Sequence, residues 1–452
     1  NPEIKMRTKL ILTLLIIYSF QISAQENIKK CMTTPLVEYE LLTNPDYAKG
    51  RVNSIAENIA WIKANNTEKT TITIPVVVHI IHKNTHANIG SGTNIPTIQI
   101  EDALKILNED YSKTNPEFPN PPRNTFLNYW GNPDMKFCLA TTDPDGNPTS
   151  GVTRTSTAQA NWDADDSFES NAMKKTVNGG KDAWNPSKYL NIWVCDLTNS
   201  QGGGMTLGYA YLPGLPSWNA WKDGLVVDYR YFGTVGIAAP SSDGRTATHE
   251  IGHYLGLMHT FCEESDAQGN PICCDNDNNN WGGYVDDTPA TKDIYWWSVN
   301  SSTNNNTCND LSYSNIFTTD VLDMDENYMS YASTTWMFTN DQINVMNATL
   351  NGYRSSLKNS TVSMNCDGTV GINEYQLENM NIYPNPTLGK LHIDSQEKIN
   401  TISISNIIGK QVFFAEGFNK NTIDLSSLEN GIYFINISTD KGMHIEKIIL
   451  TK

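Results

Sequence analysis

Positive charge is scarce in this chain of 452 residues. Lysine and arginine together number 32, against 49 aspartates and glutamates, so the formal net charge is -17. Proteins that bind nucleic acids contact the phosphates through clustered lysines and arginines. The sequence therefore predicts no nucleic-acid partner. A strongly acidic composition is instead typical of a soluble extracellular protein, and some of the carboxylates can bind calcium.

Long apolar runs are also nearly absent. The one clear run, residues 10–20, follows the basic residues Arg7 and Lys9 and precedes the small residue Ala24. This order is typical of a secretory signal peptide, and we predict one at residues 1–24. A membrane anchor is the alternative, but the run is too short to span a bilayer. No later segment is apolar enough to do so, and we expect no transmembrane segment.

There are only eight cysteines, at positions 31, 138, 195, 262, 273, 274, 308 and 366. In an exported protein most of them are expected to form disulfides. Cys138 and Cys195 both lie in strand-like segments, which makes a bond between them one prediction. The adjacent Cys273 and Cys274 are poorly placed to bond to each other, and we expect them to reach Cys262 and Cys308 separately. This leaves Cys31 and Cys366 unassigned.

The apolar pattern changes along the chain. A continuous β-branched run predicts a buried strand, a 3.6-residue period predicts a helix, and short alternating runs predict strands with one buried face. On these grounds we predict strands at 72–82, 188–197 and 224–232, helices at 97–113, 245–256 and 339–357, and a series of short strands over 380–452. Thr339 and Gln342 are expected to form a capping box at the start of the last helix. The order predicts an α+β protein with a small all-β sandwich at its C-terminal end.

Histidine is scarce as well, yet three of the eight lie within the eleven residues "HEIGHYLGLMH". On a helix, His249 and His253 share a face and can bind one ion. Gly256 allows the chain to leave the helix, so that His259 reaches the same ion. Three neutral imidazoles leave a fourth position open, which is typical of a catalytic zinc site. Glu250 lies close enough to act on the water bound there.

This spacing is the metzincin signature. A metzincin also has a methionine turn below the metal, and Met329 in "ENYMSYASTTWMF" is the candidate. Tyr331 is placed to donate to a developing oxyanion. The predicted reaction is peptide-bond hydrolysis by a zinc-bound water that Glu250 activates. The strand at 224–232 is the candidate edge strand for pairing with an extended peptide substrate. The alternatives are a surface adhesin on a protease-like scaffold, which would not need Glu250, and a zinc amidase acting on non-protein amides.

Several segments resemble the pappalysin family of metzincins, in its bacterial, cytophagalysin-like branch. They include "IPVVVHIIH", "YLNIWVCDL", "HEIGHYLGLMHTF", "VDDTP" and "NYMSYA", and they occur in order over roughly residues 28–358. The resemblance implies a metzincin-type catalytic domain with a twisted mixed sheet, an active-site helix, a Met-turn and a C-terminal helix. It also implies zinc ligands at His249, His253 and His259, a general base at Glu250 and an oxyanion-stabilising tyrosine at Tyr331.

Two positions depart from the family pattern. Gly283 stands where relatives usually have a carboxylate, and Ser330 stands where they usually have an aspartate after the Met-turn methionine. The family is known for calcium near the first position. The acidic loop before "ATKD" offers hard oxygen ligands, and we predict Asp286, Asp287 and Thr288 as calcium ligands. The alternative is a solvated acidic loop.

The segment "KKCMTTPLVEYELLTNPDYAKGR" resembles the propeptide of the family, and we predict a propeptide at residues 25–69. Cys31 in this segment offers a soft thiolate, which can occupy the open zinc position and exclude water. We therefore predict a zymogen with Cys31 as its latency switch. Cleavage after Arg51, Lys63 or Lys69 would then release the enzyme. The alternative is an ordinary disulfide cysteine.

The C-terminal segment "NIYPNPTLGKLHI" and the strands after it resemble the sorting domain of the type IX secretion system. This implies a protein exported through the periplasm that is secreted or held at the cell surface, with the secretion machinery as a partner. A carbohydrate-binding or adhesive sandwich is the alternative. The predicted organisation is a signal peptide, a propeptide, a catalytic domain, a linker and a sorting domain, at 1–24, 25–69, 70–358, 359–379 and 380–452.

Overall fold

The computed structural model describes residues 27–64, 70–166, 169–199, 204–240, 242–274, 285–313, 316–367, 370, 380–395, 398–406, 411–418, 420–439 and 442–452. Contacts divide the chain into two compact units, residues 1–370 and 371–452. The predicted signal peptide lies outside the described residues. Within them, none of the helices is both long enough and apolar enough to cross a bilayer.

The first unit combines helices with one sheet, as predicted for its α+β pattern. Its helices are α1 (Thr33–Thr43), α2 (Pro45–Lys63), α3 (Thr97–Tyr111), α4 (Glu169–Ala172), α5 (Thr246–Tyr254), α6 (Asn340–Asn351) and α7 (Ser355–Lys358). Its strands are β1 (Asn27–Cys31), β2 (Ile72–Lys83), β3 (Met135–Ala140), β4 (Val152–Thr157), β5 (Leu190–Cys195), β6 (Gly204–Ala210), β7 (Leu225–Asp228) and β8 (Met364–Asn365).

The strand order in the sheet is β1-β6-β7-β5-β2-β3-β8, and β4 also pairs with β2. Most pairs are parallel, whereas β6 with β7 and β3 with β8 are antiparallel, so the sheet is mixed. The long strand β2 is central because its β-branched run is buried on both faces. The core between the sheet and the helices contains Val76, Val78, Leu104 and Ile251.

One strand prediction is wrong in its position. We expected residues 224–232 to form an edge strand that would pair with an extended peptide. The structure instead places β7 inside the sheet, between β5 and β6, and all four of its residues are buried. The outer strand of this half is β1, which pairs with β6 in parallel register. A fully buried strand such as β7 needs neighbours on both sides, which an edge does not provide.

The helix signals of the sequence are confirmed at the two helices that matter most for the site. Helix α5 covers Thr246–Tyr254, slightly less than predicted, and Gly256 follows with a positive φ of 103°. Helix α6 begins at the predicted capping box, in which the Thr339 hydroxyl accepts from the Gln342 backbone amide and the Gln342 side chain accepts from that of Thr339. It ends at Asn351, so the helix predicted over 339–357 is interrupted at Gly352 and continues only as the short α7.

Residues 27–64 pack onto the rest of the unit. A Cβ at Gly50 would lie 2.0 Å from the carbonyl oxygen of Gly214, so α2 docks there by backbone contact. Arg51, one residue on, is 2% exposed and donates to the Pro213 carbonyl. Asn58 donates to Thr349 on α6. Cleavage after Arg51, which the sequence suggested, would therefore require this helix to unfold.

The disulfides connect Cys138 with Cys366, Cys262 with Cys274, and Cys273 with Cys308, while Cys31 and Cys195 are unpaired. The separate bonds of the adjacent cysteines are confirmed, but the predicted bond from Cys138 to Cys195 is wrong. Strands β3 and β5 flank β2 on opposite sides, about 9.5 Å apart, and a disulfide needs Cα atoms within about 7 Å.

Cys366, the disulfide partner of Cys138, lies in residues 359–379, which we expected to be a linker. Residues Met364–Asn365 form β8, which pairs with β3 and brings Cys366 alongside Cys138. Residues 359–367 are therefore attached to the first unit by a strand and a covalent bond. The expected linker also includes residues 371–379, which lie outside the described part.

The second unit is all-β, as predicted. Its strands are β9 (Met380–Tyr383), β10 (Lys390–Ser395), β11 (Ile399–Asn406), β12 (Gln411–Glu416), β13 (Thr422–Asp424), β14 (Gly431–Thr439) and β15 (Gly442–Leu450). They form a three-stranded sheet, β13-β10-β9, and a four-stranded sheet, β12-β11-β14-β15. Ile393 from the first sheet and Ile402 and Ile435 from the second belong to one buried core, as expected for a small sandwich.

Removing the bond between Cys138 and Cys366 tests this connectivity. The bond spans 228 residues, and we expect the double alanine variant to lose about 2 to 5 kcal/mol of unfolding free energy. Urea unfolding followed by fluorescence measures the loss. The control is Cys195→Ala, which removes an equally buried but unpaired thiol and should cost much less. Equal losses for the two variants would contradict the connectivity.

Candidate metal centre

Helix α5 and the turn after it bring three histidines together. His249 and His253 lie one turn apart on α5, and the turn at Gly256 brings His259 back towards them. The three Nε2 atoms are 3.1, 3.1 and 3.2 Å from one another. All three side chains are buried. The sequence spacing therefore produces the expected cluster.

The other ring nitrogens decide what these Nε2 atoms can do. His249 Nδ1 lies 2.7 Å from the Tyr328 carbonyl oxygen, and His253 Nδ1 lies 2.8 Å from that of Leu257. A carbonyl only accepts, so each Nδ1 carries the hydrogen and each Nε2 presents a lone pair. Lone pairs that face one another repel, and a shared cation removes that repulsion. Nitrogen ligands of a tetrahedral zinc site are about 3.3 Å apart, so the cluster fits such an ion.

The protonation of the histidines agrees with this role. Burial is the main cause that lowers the pKa of His249 and of His253 well below the ordinary value, and neighbouring histidine lowers each further. Both rings are therefore neutral near pH 7, which is the form that binds metal. His259 Nδ1 lies 3.0 Å from a carboxylate oxygen of Glu263, which is a typical orienting partner for a metal-binding histidine.

Glu250 is fully buried beside the cluster. Burial raises the pKa of this carboxyl group to about 8, against the opposing effect of hydrogen bonds from Cys31 and Thr33. The Thr33 hydroxyl donates to Oε2 at 3.2 Å, and Oε1 has no hydrogen-bond partner among the described residues. A Cβ at Gly208 on β6 would lie 2.9 Å from Glu250 Cγ, so the absence of a side chain there makes room for the carboxylate.

Met329 lies below α5, as the Met-turn prediction requires. It is buried, and a Cβ at Gly252 would lie 2.4 Å from its sulfur. Gly252 is the third residue after His249 in the motif, and its lack of a side chain lets the thioether pack directly against the helix backbone. The close approach explains why this chain has glycine at a position that the signature leaves unspecified.

Tyr331 packs against two of the histidines. Its ring centroid is 4.9 Å from that of His259 and 5.7 Å from that of His249. Phe261 and the half-exposed Trp296 enclose the other sides of the ring. Burial is the main cause that raises the pKa of Tyr331 well above the ordinary value, so the phenol keeps its proton and can donate it to a hydrogen bond.

Cys31 completes the cluster from outside. It ends β1, and its sulfur and one nitrogen from each of the three histidines all lie within 4.8 Å of one another. Its Sγ also lies 3.5 Å from Glu250 Oε2. Among the described residues, this is the only group of three or more histidine, cysteine or acidic side chains arranged to hold a metal ion.

Comparison with known proteins agrees with a metalloprotease site at these three histidines. The family model of pregnancy-associated plasma protein-A, the pappalysin family, matches residues 171–351, and that of the secretion system C-terminal sorting domain matches residues 381–451. Mature mirolysin of Tannerella forsythia, solved with a cleaved peptide, is 34% identical with a TM-score of 0.53. The match covers 64% of this chain and 97% of mirolysin. This chain belongs to the pappalysin family.

Other relatives agree with the assignment. A promirolysin mutant of Tannerella forsythia matches with 31% identity and a TM-score of 0.57, over 73% of this pappalysin and 97% of that chain. Extracellular metalloproteases of Pyricularia oryzae and Arthroderma otae are 31% and 39% identical, over 53% and 30% of this chain. The matches cover 64% and 41% of these two fungal proteins, so this pappalysin spans less than two thirds of either.

The predicted calcium ligands are not assembled as a cluster in this pappalysin. Asp287 and Thr288 are buried and Asp286 is partly buried, but no carboxylate group that could hold an ion forms around them within the described residues. The Asp341 backbone donates to Asp287 Oδ2, and burial raises the pKa of Asp287 to about 7. The acidic residues just before them, at 275 and 277, lie outside the described part.

Sequence reasoning missed four residues of the site: Thr33, Gly208, Gly252 and Glu263. Glu263 follows His259 by four residues, and this spacing was a usable signal for an orienting carboxylate. Gly252 lies inside the motif, where its position between two ligands was visible. Thr33 and Gly208 reach Glu250 only because β1 pairs with β6, and that long-range contact left no local signal.

Metal analysis tests the centre. In the Cys31→Ala background, which removes the propeptide thiol, we expect one tightly bound transition-metal ion per purified chain. The further change His253→Ala should cause near-complete loss of it, because two ligands cannot retain the ion. Elemental mass spectrometry measures the content. His82→Ala is the control, because His82 is also buried but lies outside the cluster. A full metal content in His253→Ala would contradict the assignment.

Proposed function

We propose that this pappalysin is a zinc endopeptidase, made as a zymogen and exported from the cell. The observation that carries the proposal is the convergence of three imidazole lone pairs beside a buried glutamate. A closed structural site would have no use for a free carboxylate at that point. The intact Glu250 also weighs against an adhesin on a protease-like scaffold, and the relatives give that alternative no support.

His249, His253 and His259 would hold the zinc ion. When bound there, zinc supplies Lewis acidity, which activates a water molecule and polarises a carbonyl group near neutral pH. Glu250 takes the proton of the attacking water and passes it to the leaving amine of the substrate. Its burial suits this role, because a carboxylate held away from solvent is a stronger base than an exposed one.

Tyr331 completes the proposed machinery. Its phenol keeps its proton and stands beside the metal ligands, so it can donate a hydrogen bond to the oxygen of the substrate carbonyl as negative charge develops there. Met329 supports the ligands from below as an apolar floor and does not take part in proton transfer.

Strand β6 is the proposed substrate-binding edge, in place of residues 224–232. One side of β6 pairs with β7, and β1 pairs with the other side. The β1 pairing runs from Asn27 opposite Gly204 to Cys31 opposite Gly208. Once β1 is removed, the backbone of β6 is exposed for pairing with an extended peptide. This favours unfolded or flexible protein segments as substrates.

Latency is proposed to rest on the same strand. Cys31 stands where a thiolate would fill the open zinc position, and Thr33 donates to Glu250 while accepting from the Ala210 backbone amide. The segment 25–69 would therefore block the ion, the base and the substrate edge together. In this proposal the catalytic domain extends from residue 70 beyond 358 to residue 370, because β8 and the Cys138–Cys366 bond belong to it, and residues 371–379 are the linker.

The second unit is proposed to direct export. Its match to the secretion system C-terminal sorting domain supports a secreted or cell-surface protein that engages the type IX machinery. Residues 380–452 would act as the sorting domain, and residues 1–24 as the signal peptide for the first membrane.

Calcium remains a separate proposal. One oxygen of Asp287 is buried without a hydrogen-bond partner among the described residues, which is what an absent cation partner would leave. We expect calcium to raise the melting temperature of the wild-type chain, and Asp287→Asn to abolish that increase. Magnesium is the control ion. An equal response of the variant to calcium would reject Asp287 as a ligand.

Replacing the base tests the proposed reaction. In the Cys31→Ala background, we expect the further change Glu250→Gln to lower kcat/KM for a quenched fluorescent peptide by about 10²- to 10⁴-fold. The amide keeps the shape of the side chain but cannot accept the proton. Zinc content measured on the same sample should stay at one per chain. Undiminished hydrolysis with full zinc would contradict the mechanism.

Latency has its own test. We expect full-length Cys31→Ala to cleave casein without prior processing, but far more slowly than the processed enzyme, because β1 still pairs with β6. The wild-type chain should stay inactive until its N-terminal segment is cut. Cys195→Ala is the matched control, since Cys195 is the other buried, unpaired thiol, and it should stay latent. If both variants were equally latent, Cys31 would not be the switch.

A further inference from the structure

A buried carboxylate lies behind the metal centre and has no part in the proposed reaction. Asp110, near the end of α3, is 2% exposed. Its Oδ1 accepts a hydrogen bond from the Tyr328 hydroxyl at 2.6 Å, and its Oδ2 accepts one from the Thr248 hydroxyl at 2.7 Å. Burying such a group is costly, and both of its bonds go to residues next to the site.

The two donors belong to the two segments that build the site. Thr248 immediately precedes His249 on α5, and Tyr328 immediately precedes Met329 in the Met-turn. One carboxylate therefore bridges the active-site helix and the turn below it. Tyr111, the neighbour of Asp110, adds a second bond to α5, from its hydroxyl to the Thr248 carbonyl at 3.1 Å.

Tyr328 continues the connection to a proposed metal ligand. Its hydroxyl donates to Asp110, while its carbonyl accepts from His249 Nδ1 at 2.7 Å. The bond at Nδ1 fixes the tautomer of His249 and the direction in which Nε2 points. The direction of this ligand thus depends on where the Tyr328 backbone is held.

The charge of Asp110 is compensated within the same group. Arg245 Nε lies 3.3 Å from Asp110 Oδ1, and the same guanidinium binds both oxygens of Glu117, at 3.0 and 2.7 Å. Arg245 directly precedes α5, so its fixed position also restrains the start of that helix. The two hydroxyl hydrogen bonds and the ion pair with Arg245 together satisfy this carboxylate in the protein interior.

We propose that Asp110 is a positioning residue for the metal centre: it holds Tyr328 and Thr248 so that His249 Nε2 is aimed at the ion. The inference rests on the proposed function, because it assumes that the histidines bind zinc. Asp110 contacts neither the ion nor the substrate. It acts through Tyr328, whose two ends connect the carboxylate to the ligand.

The experiment measures the zinc affinity of the full-length chain by competition with a chromophoric chelator. The variants are Tyr328→Phe, which removes only the hydroxyl, and Asp110→Asn, which keeps the shape but cannot accept from both donors. Each should weaken zinc binding by about 10- to 100-fold. The control is Tyr189→Phe, because Tyr189 is an equally buried tyrosine whose hydroxyl donates to the Thr142 carbonyl, away from the histidines. The zinc affinity of this control should stay within about twofold of the wild-type value, a change much smaller than the 10- to 100-fold loss expected for the other two variants.

Two further measurements separate positioning from general stabilisation. The melting temperature of the zinc-free chain is recorded for every variant. A change in melting temperature with wild-type zinc affinity would overturn the inference. The double variant is expected to lose no more zinc affinity than whichever single variant loses more, because both changes interrupt the same connection. Losses that multiply would also overturn it. If Asp110→Asn fails to fold, Tyr328→Phe decides the question alone.

These outcomes are distinct from a failure of the proposed function. If the wild-type chain binds no zinc, the proposed function itself is wrong. If the wild-type chain binds zinc and Glu250→Gln is inactive, while Tyr328→Phe binds zinc as tightly as Tyr189→Phe, only the role of Asp110 is rejected.

Discussion

Three imidazole nitrogens that face one another at 3.1 to 3.2 Å form the constraint on which this structure depends. Their lone pairs repel in the absence of a cation, so the rest of the fold must hold them in place. Backbone carbonyls fix two of the rings, a carboxylate faces the third, and Met329 supports the helix that carries two of them. These contacts stabilise the three histidine rings in positions where their Nε2 lone pairs repel one another.

Much of that support is polar and buried. Asp110, Arg245 and Glu117 form one network behind the site, and Glu250 is buried in front of it. Buried charges contribute little net stability, but they have few alternative geometries once all partners are satisfied. Such networks suit a site in which the direction of each ligand matters more than the free energy of unfolding.

Local signals in the sequence predicted the parts of the site that are local in the chain. The spacing of His249, His253 and His259, the turn at Gly256 and the capping box at Thr339 are all properties of neighbouring residues. The position of β7 and the partner of Cys138 depend on strand order, which the apolar pattern does not encode. The residues around Glu250 were missed for the same reason, because β1 and β6 are far apart in sequence.

The docking of α2 has a further consequence for activation. This helix is held by the contact of Gly50 with Gly214 and by the bond from Asn58 to Thr349, both well removed in sequence from Cys31. A single proteolytic cut after α2 would change the connectivity of the chain but none of these contacts. The severed segment would remain as a stoichiometric, non-covalent inhibitor, and full activity would then depend on dilution or on a second cut that destroys it.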